Sequence, residues 1–341
     1  MPSIRQSMNL AFQNVFFRMS TVLLLFLLMP FFISPAVGLA VSGPPQPSGE
    51  LGGTKYPYSK VISHSYGAGG LKYYLFEPDL PKPSIPAPLI LLFHGWGVTN
   101  PNPYSAWIEH ITKKGNIVIF PVYQAPFTKP GEYTANATRS VLSAIEVLNS
   151  RDHVKPDLNR FAIVGHSCGG MVAANIAAVA AASGLPAPKA LMSIEPGWVA
   201  TVPLEDLSKI PADTLLLTVA GDQDFTSGDR GAKKIFQQTP QIPLGRKDFI
   251  TMVSDYHGFP PLRADHLAPA SRADDVDLQA VSMPDALDYY CLWKLFDALT
   301  DAAFYAGKNW EYALGNTPQQ RYMGAWSDGT PIKEMIVTDT P

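Results

Sequence analysis

Gly165-His166-Ser167-Cys168-Gly169 has the Gly-x-Ser-x-Gly spacing that presents a nucleophilic serine on a sharp turn. A serine hydroxyl is a weak nucleophile near neutral pH. It needs a base within hydrogen-bond reach and a carboxylate to orient that base. Residues two either side of such a serine crowd its backbone, and glycine has no Cβ to clash there. Before the motif, Phe161 to Val164 reads as a short buried strand. After it, Met171 to Ala178 is an alanine-rich run that favours helix. Strand, turn and helix in that order lift the serine out of the sheet edge. The helix N-terminus behind it offers N–H groups to a developing oxyanion.

Acids and bases lie downstream. The apolar run Thr214 to Val219 leads into Ala220-Gly221-Asp222-Gln223-Asp224, and Ile194-Glu195-Pro196-Gly197 follows an earlier apolar run, so Asp224 and Glu195 compete as the acid. Asp222 is accounted for by turn chemistry, because aspartate bonds its own backbone at such positions. Of seven histidines, His64, His110 and His153 precede the serine, while His94 and His166 sit inside motifs. His257, in Ser254-Asp255-Tyr256-His257-Gly258, and His266, in Ala264-Asp265-His266, remain as bases in the order serine, acid, histidine. His257 follows a strand by only a few residues and is the expected base. His266 lies deeper in a proline-containing segment, where a structural role is the plainer reading.

From about Lys60 to Tyr305 the order of parts resembles the α/β-hydrolase superfamily. The resemblance rests on His94-Gly95-Trp96-Gly97 after an early strand, on the serine pentapeptide, and on the acid and histidine that follow. It implies a doubly wound, mostly parallel sheet of about eight strands, with Ser167 as nucleophile, Asp224 as acid and His257 as base. It further implies an oxyanion hole made by the backbone N–H groups of Trp96 and Cys168. The segment from Glu195 to Thr214 is too short for a helical cap. That places the chain nearest the lidless members, which are dienelactone-hydrolase-like, chlorophyllase-like and polyester-hydrolase-like. Residues 258–282 form the long loop expected near the site. Trp96, Tyr104, Trp107, Tyr123 and Trp198 follow strand ends and are candidates to line an apolar pocket, although most aromatics in such a core simply pack.

The elements that must position these residues are legible as alternating patterns. Lys60 to Tyr66 and Leu71 to Phe76 read as two antiparallel strands. Pro88 to Phe93 is a continuous apolar run, the mark of a strand buried on both faces. Helices are expected over Tyr104 to Lys114, Thr134 to Leu148, Asp229 to Gln237 and Pro284 to Tyr305. Further strands are expected at Ile117 to Phe120, Ala190 to Ile194, Thr214 to Val219 and Asp248 to Val253. Strands alternating with helices argue a parallel sheet.

The chain has 341 residues, 46% hydrophobic and 16% charged, with a net charge of −3. That suits one globular α/β domain and excludes a nucleic-acid-binding basic surface. Residues 1–40 carry two arginines, an apolar stretch from Thr21 to Ser34 and small residues at Gly38-Leu39-Ala40, the pattern of a cleaved export signal. An uncleaved anchor is the alternative, and no later stretch is long and apolar enough to span a bilayer. A flexible lead-in over 41–55, an α/β-hydrolase domain over 56–310 and a tail over 311–341, packed on that domain or following it, complete the expected organisation. Cys168 and Cys291 are too few for a disulfide framework. No metal or organic cofactor is called for. The expected activity is cleavage of small-molecule, lipid or polymeric carboxylic esters through an acyl-enzyme. The rivals are amide cleavage or acyl transfer on the same residues, and a non-catalytic binding protein.

Overall fold

The computed structural model describes residues 40–49, 51–150, 152–197, 202–271 and 283–341. Of the expected leader only Ala40 is among them, and Trp198 and the 272–282 part of the long loop also lie outside the described residues.

A nine-stranded sheet in the order β1-β2-β4-β3-β5-β6-β7-β8-β9 organises residues 41–341. Its strands are β1 (Lys60–Tyr66), β2 (Tyr73–Asp79), β3 (Ala87–Phe93), β4 (Ile117–Pro121), β5 (Pro156–His166), β6 (Ala190–Ile194), β7 (Leu215–Gly221), β8 (Lys247–Met252) and β9 (Ile336–Thr338). β3 to β8 run parallel, whereas β1, β2 and β9 join antiparallel at the two ends.

Each central strand feeds both faces. Leu89, Leu91 and Phe93 of β3 enter one core with Ile163, Leu191 and Leu216, while Ile90 and Leu92 enter the other with Val164, Met192 and Leu217. This is why the sequence there is apolar without alternation. Helices α2 (Tyr133–Leu148) and α3 (Cys168–Val179) cover the first face. Helix α1 (Ser105–Lys113) and a helix that starts as one π-helical stretch, Leu287–Trp293, and continues as α5 (Lys294–Phe304) cover the second. Helix α4 (Arg230–Gln237) follows β7. No helix among the described residues is long and apolar enough to cross a membrane.

Both described ends of the chain are held by contacts with the domain, which for the lead-in differs from the flexible segment expected. The lead-in is tied down: the Gly52 N–H donates to Asp297 Oδ2 at 2.8 Å, and Thr54 N–H to the Pro47 carbonyl at 2.8 Å. Gly52 is required there, since a Cβ would lie 1.9 Å from the Tyr289 carbonyl oxygen. The tail is part of the fold, because β9 pairs with β8 and Trp326 is buried. The short helices α6 (Trp310–Ala313) and α7 (Pro318–Arg321) lead into it. Lys294 anchors that route, donating to the carbonyls of Gln319, Gln320 and Tyr322 at 3.2, 2.9 and 2.5 Å.

Candidate active site

Ser167 lies between β5 and α3 with φ 57° and ψ −127°, a backbone conformation that costs a non-glycine residue energy. The chain holds it there with two hydrogen bonds: Ser167 N–H to the Ile194 carbonyl at 2.9 Å, and Gly170 N–H to the Ser167 carbonyl at 2.8 Å. The flanking glycines are sterically fixed. A Cβ on Gly165 would stand 2.2 Å from the Gly169 carbonyl oxygen, and one on Gly169 would stand 2.4 Å from the carbonyl oxygens of Phe93 and His94.

His266 stands between Ser167 and Asp224. Its Nε2 lies 2.8 Å from Ser167 Oγ and its Nδ1 lies 3.0 Å from Asp224 Oδ2. The other carboxylate oxygen of Asp224 accepts the N–H groups of Thr226 and Ser227, each at 2.9 Å. Burial opposes ionisation of this carboxyl, but the bond to His266 and those amides outweigh it and hold it below its ordinary range. A carboxylate on Nδ1 fixes the imidazole tautomer that leaves Nε2 free to accept the serine proton.

The structure thus brings together Ser167, Asp224 and His266, and the expected base, His257, is elsewhere. His257 Nε2 pairs with Asp328 Oδ2 at 2.7 Å, and both side chains are about 40% exposed. The reason lies in the path after β8. Asp255 and Leu262 form an antiparallel bridge, so residues 256–261 loop outward, carrying His257 with them. The returning strand is then pinned over the end of β7, with Gln223 N–H donating to the Ala264 carbonyl and Ala264 N–H to Ser254 Oγ, both at 3.0 Å. Two residues further on, His266 reaches the serine. Asp222 is structural, but its carboxylate binds the segment after β8 rather than its own turn, accepting Ser254 N–H at 3.0 Å and Ser254 Oγ–H at 2.6 Å.

The setting of Glu195 was the least legible from the residues alone. It is fully buried at the end of β6 with φ 45°. Its Oε2 is 3.4 Å from His166 Nε2 and 3.9 Å from His266 Nδ1, and neither carboxylate oxygen has a hydrogen-bond partner among the described residues. We therefore read the 3.4 Å approach as proximity without a well-aligned bond. Burial, aided by the charges of Asp224 and Asp265, pushes the Glu195 carboxyl well above its ordinary range, so it stays protonated. His166 is the converse: burial, together with neighbouring His266, lowers it to about 3. Tyr104 Oη, which accepts Gly95 N–H at 3.0 Å, donates to His166 Nδ1 at 2.7 Å and places the ring proton on Nε2. His166, Glu195 and His266 lie close enough to share a metal ion. The nitrogens of His266 are already committed to Ser167 and Asp224, so the set does not fit a resident ion.

Facing the serine, the turn His94-Gly95-Trp96-Gly97 is held by Gly97 N–H to Gln124 Oε1 at 2.8 Å and by Tyr123 Oη–H to the His94 carbonyl. A Cβ on Gly95 would stand 3.4 Å from Ser167 Cβ, which sets the closeness of turn and serine. His94 has ring nitrogens 2.7 Å from the Gly95 and Val122 carbonyls. Burial nevertheless lowers it to about 4, and a neutral ring donates to only one of the two. Cys168 is the first residue of α3, and its thiol is buried and pushed up to about 12 by that burial. Cys168 and Cys291 are both free thiols.

Among the aromatics expected at a pocket, Tyr104, Trp107 and Tyr123 are core residues, with Trp107 edge-on to Phe296. Trp96 is 58% exposed. Three residues not singled out in the sequence are also open to solvent: Phe127, Phe225 directly after Asp224, and Leu267 directly after His266. The segment after Glu195, where described, contains only the short 3-10 turn Leu207–Lys209.

Comparison with known proteins adds a family. The family model described as Chlorophyllase matches residues 80–205, which include the 94–97 turn, Ser167 and Glu195 but neither Asp224 nor His266. No curated protein matches the chain. The mostly parallel sheet with helices on both faces is an α/β-hydrolase fold, and the matched family is a member of the α/β-hydrolase superfamily.

Proposed function

We propose that the chain is a serine hydrolase that cleaves carboxylic esters through an acyl-enzyme. The observation that carries this reading is the single imidazole set 2.8 Å from Ser167 Oγ and 3.0 Å from Asp224 Oδ2. Ser167 Oγ attacks the ester carbonyl while His266 Nε2 takes its proton, and Asp224 stabilises the imidazolium that forms. This reading assigns the oxyanion to the backbone N–H groups of Cys168, at the head of α3, and Trp96, in the turn whose Gly95 lies close to the serine. His266 then returns the proton to the leaving alcohol, and a water repeats the cycle on the acyl-enzyme. Gly197 keeps the approach open: a Cβ there would sit 3.6 Å from Ser167 Oγ and 2.1 Å from Ser227 Oγ.

Trp96 in the turn beside the serine, Phe225 directly after Asp224 and Leu267 directly after His266 are exposed, which favours esters with substantial apolar parts. The export pattern of residues 1–40 supports a secreted or periplasmic enzyme. Nitrophenyl esters of increasing acyl length test the reaction. Stopped-flow traces are expected to show a burst of about one nitrophenol per chain, followed by slower turnover. Absence of hydrolysis across the whole series would reject an esterase, and the length profile would measure the apolar site.

A further inference from the structure

Outside the catalytic cleft, the geometry points to a second site: His64, Glu77 and His153 bind a divalent transition-metal ion of the zinc class. Each offers one ligand atom, and the three atoms all lie within 4.8 Å of one another. They come from three separate parts of the fold. His64 is on the end strand β1, Glu77 on β2, and His153 in the segment that enters β5, the strand carrying the nucleophile. In the β1–β2 register His64 pairs with Leu75 and Ile62 with Glu77, so His64 and Glu77 are diagonal neighbours on one face. The two imidazoles meet edge to face with centroids 5.4 Å apart.

The surroundings are arranged as a ligand shell requires. A metal-bound histidine donates its second N–H outward to a fixed partner, and a bound carboxylate is itself hydrogen-bonded. Here Tyr66 Oη lies 3.2 Å from His153 Nε2, which leaves Nδ1 facing Glu77 Oε1 at 2.7 Å. Glu77 Oε2 is held by Val154 N–H at 2.6 Å, so Oε1 is the oxygen presented. A cation would replace the one proton shared between Nδ1 and Oε1, and those two atoms would move from 2.7 Å to about 3.3 Å apart to span it in tetrahedral geometry. Glu77 is almost fully buried while His64 is exposed, so the third ligand closes the site from the solvent side and leaves a fourth position for water. Two imidazoles and one carboxylate suit zinc and its neighbours, whereas calcium and magnesium select oxygen. Bound there, the ion ties the end strand to the base of β5.

The test is calorimetric titration of the full, EDTA-treated and dialysed chain with zinc chloride at neutral pH, alongside thermal melts and ester hydrolysis. The expected results are one saturable zinc per chain, a dissociation constant in the micromolar range or tighter, and a melting point raised by several degrees. His64→Ala removes only an exposed ligand and is expected to fold normally, hydrolyse esters as the wild type does, and bind zinc at least tenfold more weakly; His153→Ala should weaken binding equally. Three outcomes overturn the proposal: no saturable binding, binding unchanged in His64→Ala, or zinc inhibition of hydrolysis that follows the titration curve, which would place the ion at His166, Glu195 and His266. Loss of ester hydrolysis in the metal-free wild type would instead count against the catalytic reading.

Discussion

His266→Ala is expected to lower kcat/KM on a carboxylic ester by about 10⁴-fold or more, whereas His257→Ala stays within about threefold of the wild type. The contrast follows from geometry, since only His266 has a nitrogen, 2.8 Å away, that can take the Ser167 proton. His257 is a partly exposed partner of Asp328. Exposed ion pairs of that kind are screened by solvent and contribute little, so a small loss of melting temperature is all its removal should cost. Because nucleophile and base act as one unit, Ser167→Ala combined with His266→Ala should be scarcely slower than either alone. Additive losses would mean that the two side chains do not share a step. Steady-state kinetics on one nitrophenyl ester, with circular dichroism to confirm folding, decides this.

Asp224→Asn should cost about 10⁴-fold in kcat, because an amide nitrogen facing Nδ1 favours the wrong imidazole tautomer. Glu195→Gln should leave activity within about tenfold, although Glu195 lies in the turn after the strand preceding β7 and also faces His266. The difference is ionisation. Asp224 is held as the anion by His266 and two amides, while burial keeps Glu195 protonated, and glutamine copies the shape of a protonated glutamate. The same contrast sets a stability signature. With its folded-state value raised, Glu195 keeps a proton that the unfolded chain releases above about 4.5, so it costs native stability increasingly as pH rises through that value. The melting temperature of Glu195→Gln relative to wild type should therefore climb between pH 5 and pH 8. A flat difference, together with a 10⁴-fold loss of activity, would make Glu195 the working acid.

Much of this arrangement was legible in the residues. The β3, β6 and β7 segments declared themselves by apolar runs bounded by turns, β1 and β2 by the glycine-rich turn between them, and β5 with α3 by the pentapeptide between them. Asp224 was legible because it closes a Gly-x-x-Asp turn after the apolar β7 run, where the resemblance to α/β-hydrolases puts the acid. The base was not, for a physical reason: distance along the chain favoured His257, but the Asp255–Leu262 bridge turns residues 256–261 away from the site. Pairing of that kind, set by tertiary contacts, leaves no local pattern. The one available signal was the proline-rich stretch Phe259-Pro260-Pro261, which argues for a turn between the two histidines. The three-residue β9 and the pinned lead-in escaped for the same reason, since both depend on partners far away in sequence. Trp107 and Tyr123 also show why an aromatic after a strand is weak evidence for a pocket: most such rings fill a core.

The account turns on whether the Ser167 hydroxyl is activated by His266. Reaction with a fluorophosphonate, followed by intact-mass and peptide mass spectrometry, reads this directly. The wild type and His257→Ala should gain one adduct mapped to Ser167, and His266→Ala should label far more slowly. An unlabelled wild type, or labelling of His266→Ala at the wild-type rate, would contradict it.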